Sequence, residues 1–164
     1  MSVREIRLFG DPILKTVCDK VDEPARVKDL VKDLIDTTSQ PGRAGVAANQ
    51  IGIGLSVFAY FVDGKAGYLI NPEIVELGGE LVELDEGCLS LPGLWHKTPR
   101  YSKALVRGLQ LDGETIEIEG EGLLAQVLQH ECDHLQGIVY IEKLNPEERK
   151  LALRSLREQP WFRR

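Results

Sequence analysis

Cysteine is scarce and poorly placed for cross-linking: Cys18, Cys88 and Cys132 form an odd, widely spaced set that excludes a disulfide framework. Reduced thiols fit better, and a reduced cysteine serves as packing, as a ligand or as a nucleophile. Long apolar runs are missing too. No stretch approaches the roughly 20 apolar residues that span a bilayer, and the start, MSVREIRLFGDP, carries charge where a signal peptide needs its apolar run. A cytoplasmic location is expected. Basic excess is also lacking. A formal charge of −6 and a pI near 5.2 exclude broad affinity for nucleic acid, which depends on neutralising phosphates. There is no repeat, no low-complexity tract and no linker long enough to divide domains, so residues 1–164 are expected to form one domain.

What is present reads as α+β. Asp11 followed by Pro12 predicts a short helical turn. From Pro24 to about Ser39, Val27, Leu30, Val31, Leu34, Ile35 and Thr38 recur on one helical face, and Gln40-Pro41-Gly42 ends it. Between Leu55 and about Leu111 lie the β-runs LSVFAYF, GYLINPEI, GELVEL and KALVRGLQL, with turns expected at Asp63-Gly64, Gly78-Gly79 and Asp112-Gly113. The last of these should join KALVRGLQL to ETIEIE as a hairpin. A second long helix is predicted from about Gly122 to Leu135, and Asn145-Pro146-Glu147-Glu148 starts a C-terminal helix through about Glu158. The expected architecture is antiparallel β-sheets packed around one central helix.

That central helix carries His130-Glu131-Cys132-Asp133-His134, two of the only three histidines in the chain. At a spacing of four, the imidazoles differ in direction by about 40°, so both can reach one ion. Glu131 is turned about 100° from His130, beside the ion rather than on it, where a carboxylate can deprotonate water. Cys132 lies on the opposite face and should pack inward, and Cys18 reads as packing as well. A catalytic ion needs a third protein ligand and an open position. Glu142, Cys88 and His96 are all candidates, and periodicity does not choose among them. A Glu142 ligand would give an ordinary HExxH protease, and an inactive metal-binding module is the other alternative.

Three motifs narrow the choice. GVAANQ (45 to 50), EGCLS (86 to 90) and HECDH (130 to 134), in that order, closely resemble the three motifs of peptide deformylases, and the similarity runs from GDPIL (10 to 14) to about Leu144. The resemblance implies Cys88, His130 and His134 as metal ligands and Glu131 as general acid/base. It implies Gln50 and the backbone N–H of Leu89 as donors to an oxyanion. The implied reaction removes the formyl group from N-formylmethionine of nascent polypeptides and releases formate. Ala44, Gly45, Leu123 and Val127 are expected to contribute to an apolar pocket for the methionine side chain.

One divalent metal per chain is implied. Thiolate and imidazoles suit Zn²⁺, while the resemblance implies Fe²⁺ in the cell, with Ni²⁺ or Co²⁺ able to substitute. Arg43 stands where the family's first motif usually has glycine, and Trp95 stands where some relatives carry a cation that meets the peptide, so a looser preference is expected at the second residue after methionine. Asp133 and Arg100 match a buried supporting pair. The basic tail, with Arg149, Lys150, Arg154, Arg157, Arg163 and Arg164, is expected to make a transient ribosome contact; no membrane partner and no specific nucleic acid are expected.

Overall fold

Proline marks the first turn of three helical segments in the computed structural model, which describes residues 3–162. Pro12 opens a 3-10 turn to Lys15 and Pro24 one to Val27, and Pro146 opens the helix α3, Pro146–Glu158. A fixed φ and a missing N–H cost nothing at that position. Asp11 accepts from Ile13 N–H, and Asn145 from Glu148 N–H, so two of these starts are capped by side chains. The segment after Pro24 continues as α1, Lys28–Thr38, and the long apolar-faced helix near the end is α2, Leu123–Leu135. Arg163 and Arg164, counted with the basic tail, lie outside the described residues.

Five strands form one antiparallel sheet in sequence order: β1 (Gly45–Ala47), β2 (Val57–Val62), β3 (Lys65–Glu86), β4 (His96–Leu109) and β5 (Thr115–Glu121). Asp63 and Gly64, both at positive φ, make the two-residue turn between β2 and β3, and Asp112-Gly113 lies in the β4–β5 hairpin loop. Gly78-Gly79 does not turn the chain. The expected runs GYLINPEI and GELVEL are halves of the single 22-residue strand β3, because both halves pair with β4 on either side of a register shift between Gly78 and Leu81. Gly79 sits at φ +70° in this bulge, where a Cβ would collide with Ser102 Oγ.

Alternation along the strands divides the core. Ala47, Phe58 and Leu69 face one way, toward Ala125, Leu128, Cys132 and Leu135 of α2, with Cys18 among them. Val46, Val57, Ala59 and Ile70 face the other way, toward Val31 and Leu34 of α1. Both expected packing cysteines thus lie in the same cluster, and burial pushes their thiols up, to about 11 for Cys18 and about 12 for Cys132. A third cluster joins Ala152 and Leu156 of α3 to Tyr140, Leu144, Leu91 and Leu94, with Cys88 at its margin. This cluster supports the segment that leaves β3.

Candidate metal centre

Three donor atoms converge where α2 meets the end of β3. His134 Nε2 lies 3.1 Å from His130 Nε2 and 3.3 Å from Cys88 Sγ, and all three donor atoms are within 4.8 Å of one another. A four-coordinate ion with bonds of about 2.0–2.3 Å spaces such atoms roughly 3.3–3.7 Å apart, so the donors fit one small cation. The remaining candidates are elsewhere. Glu142 accepts from Val139 N–H at 2.9 Å and pairs with Lys15 at 2.5 Å, closing a surface turn. His96 pairs through Nδ1 with Glu148 of α3 at 2.9 Å. Among the described residues, this Cys88–His130–His134 group is the one cluster able to hold a metal ion.

Glu86 is the residue that sequence reasoning missed as a participant. It is 3% exposed. Its carboxylate takes Arg100 Nε at 2.9 Å and Nη2 at 2.6 Å, and Oε2 lies 2.6 Å from His130 Nδ1. Arg100 also reaches Asp133 at 2.7 Å, the expected supporting pair. Burial alone would raise the Glu86 carboxyl, but the Arg100 and His130 bonds outweigh it and hold it down at about 2. Burial opposes charge on His130 too, yet its bonds to Cys88 and Glu86 raise its pKa well above the ordinary imidazole value. His134 goes the other way: burial first, and then the neighbouring His130, lowers its pKa well below the ordinary imidazole value. A signal for Glu86 existed: an acid at an inward position of a strand, beside Gly87-Cys88, cannot be left without a cation.

Glu131 is 3% exposed, its Oε2 4.0 Å from His130 Nε2, while Oε1 has no hydrogen-bond partner among the described residues. Burial pushes its carboxyl up to about 7, a value suited to exchanging protons near neutrality. Gly45 explains how it reaches the centre. A Cβ at 45 would stand 2.7 Å from Glu131 Oε2, so only glycine lets β1 lie against this carboxylate. Gln50 takes Ala47 N–H on its Oε1, and this turns its Nε2 toward Cys88 Sγ at 3.5 Å and Ser90 Oγ at 3.1 Å. An amide donor is therefore aimed beside the three donor atoms.

These groups open into a cleft of about 290 Å³. Arg43, Ala44, Gly45, Gln50, Leu89 and Val127 are among its walls, Leu123 is half-exposed at its mouth, and Trp95 stands 69% exposed on the rim. The indole lies on Gly87, where a Cβ would meet it at 2.8 Å. Arg43 turns a guanidinium nitrogen to the Thr37 carbonyl at 3.0 Å. The expected site residues thus line one cleft except His134, which is fully buried behind Cys88 and His130.

The polypeptide deformylase family model matches residues 3–150. The chain belongs to the polypeptide deformylase family. A deformylase of Acidothermus cellulolyticus is 48% identical over 98% of this chain and 89% of its own length, and one of Parafrankia 44% identical over the same shares. Among solved structures, the deformylase of Thermus thermophilus superposes with a TM-score of 0.89 at 37% identity, covering 95% of this chain and 94% of that one. That of Legionella pneumophila gives 0.87 at 36%, with the same coverage. Family membership makes the chain an enzyme, a hydrolase with the α+β deformylase fold. Among the described residues, no helix is long and apolar enough to cross a membrane.

Proposed function

We propose that this enzyme hydrolyses the formyl group from N-formylmethionine at the start of nascent polypeptides, with one divalent ion held by Cys88, His130 and His134. The observation that carries the reading is the meeting of these three donors with the buried carboxyl of Glu131 and the aimed amide of Gln50 in one cleft. A bound divalent ion supplies Lewis acidity and lowers the pKa of the attacking water. Glu131 takes the proton of that water on its free carboxylate oxygen and hands it to the departing amine. Gln50 Nε2 and the N–H of Leu89 donate to the oxygen on which negative charge develops. Ala44, Gly45, Leu123 and Val127 receive the methionine side chain, and the peptide backbone lies along residues 44–46 and 87–89 in β fashion. Trp95 offers apolar surface, not charge, to the residues that follow.

The ion in the cell is Fe²⁺ in this reading, and the location is the cytoplasm. Exposed Arg149, Lys150, Arg154 and Arg157 on α3 make the contact with the ribosome. Glu131→Gln tests the division of labour. It should keep about one metal per chain and lose turnover on formyl-Met-Ala by about 10²–10⁴-fold, while Cys88→Ala should lose both. Loss of metal from Glu131→Gln would refute the acid/base role.

A further inference from the structure

Asn49 stands beside Gln50, yet it faces the other way, into the protein, and its side chain is completely buried. Its Nδ2 donates to the backbone carbonyl of His134 at 2.6 Å, a carbonyl near the end of α2 that also accepts from Gly137 N–H at 3.0 Å. Two buried atoms in this contact have no hydrogen-bond partner among the described residues: Asn49 Oδ1 and His134 Nδ1. Folded proteins rarely leave such atoms unpaired. They belong to residues that already touch, and their chemistry is complementary. The amide oxygen only accepts. With His134 Nε2 turned to Cys88 and His130, the ring proton belongs on Nδ1, which only donates.

The other histidine shows what is expected of the pair. His130 Nδ1 meets Glu86 at 2.6 Å, a carboxylate that fixes the ring and its tautomer. Among the described residues, no acid performs this service for His134. We infer that Asn49 is the positioning residue of His134: its Oδ1 accepts the Nδ1–H while its Nδ2 holds the helix end, a small amide rotation or one bridging water closing the pair. The two imidazoles are then unequal donors, one backed by a carboxylate and the other by a neutral amide. This inference rests on the reading of His134 as a ligand through Nε2.

The test uses Co²⁺-loaded protein and proton NMR, in which the ring N–H of each ligand histidine is shifted out of the protein envelope and exchanges with solvent. Wild type should show two slowly exchanging signals. Asn49→Leu should keep the His130 signal and lose the other to fast exchange, and should release Co²⁺ to a chelator about 10–100-fold faster. Asn49→Asp, which keeps an acceptor, should restore the slow second signal. If Asn49→Leu fails to fold, Asn49→Ala carries the same comparison without a larger side chain. Two slow signals and an unchanged release rate in the Leu or Ala variant, with only the melting temperature lowered, would overturn the inference. Metal uptake without any ring signal from wild type would overturn the histidine ligands, and this inference with them.

Discussion

Glu86→Gln separates what its carboxylate does for the fold from what it does for the centre. The amide keeps the shape, but it removes the charge that balances Arg100 and turns an N–H₂ toward one of its donors. Arg100 is itself 4% exposed, so a guanidinium would be left in the interior with Asp133 alone. Removing one partner of a buried pair costs about 3–5 kcal/mol. The titration gives a similar figure: a carboxyl held at about 2 instead of 4.5 is worth about 3 kcal/mol of folded-state stability. For a chain of this size that corresponds to a melting temperature lower by about 10 °C. The sign follows from the lowered pKa. The advantage of wild type is complete above about pH 4.5, the carboxyl's ordinary value, and is lost as pH falls toward 2, so the two proteins should converge on acidification. Chelator competition should show metal held about 10–100-fold less tightly, since His130 loses the partner of its Nδ1. Glu86→Gln combined with Arg100→Met should recover much of the stability and none of the metal affinity. Equal melting temperatures of wild type and Glu86→Gln at pH 7, measured with metal saturating, would refute the reasoning.

Gly45→Ala should lower turnover while metal content stays near one per chain, because the new methyl displaces Glu131; a strain of about 1–3 kcal/mol should appear in denaturant unfolding. Stripped and reloaded anaerobically, the Fe²⁺ form should be the most active and should fade in air, as both iron and the Cys88 thiolate are open to oxidation. Ni²⁺ and Co²⁺ forms should be active and stable in air, and the Zn²⁺ form slow; equal zinc and iron rates with no loss in air would remove the ferrous assignment. Replacing Arg149, Lys150, Arg154 and Arg157 together by Gln should weaken ribosome pelleting at low salt and leave melting unchanged, since all four are exposed. Removing α3 outright would be a poor test, because Ala152 and Leu156 are buried beneath Leu91 and Leu94.

Local signals were legible where one element carries the whole message. The spacing of His130 and His134 placed both imidazoles on one face of α2, Pro146 after Asn145 marked the start of α3, and Asp63-Gly64 marked a tight turn. Gly78-Gly79 misled because a pair of glycines serves a bulge as well as it serves a turn, and only pairing with β4 distinguishes the two. Residue spacing left the third ligand open among Cys88, Glu142 and His96. Resemblance favoured the cysteine, and in the fold it is Cys88 Sγ that lies beside the two imidazoles. Strand alternation could mark Glu86 as an inward acid but not name its partners, because Arg100 and His130 are distant in the chain; Asn49 stayed hidden for the same reason, its partner His134 lying far from the 3-10 turn Ala48–Ile51.

Because the segment carrying Cys88 rests against α3, that wall of the cleft depends on residues far along the chain from it. A ribosome delivers Gly45, Gln50 and Cys88 early, His130 and His134 much later, and the Leu144, Ala152 and Leu156 surface later still. The three donor atoms therefore cannot meet until α2 has followed β3 off the ribosome, and the support under Cys88 comes after them.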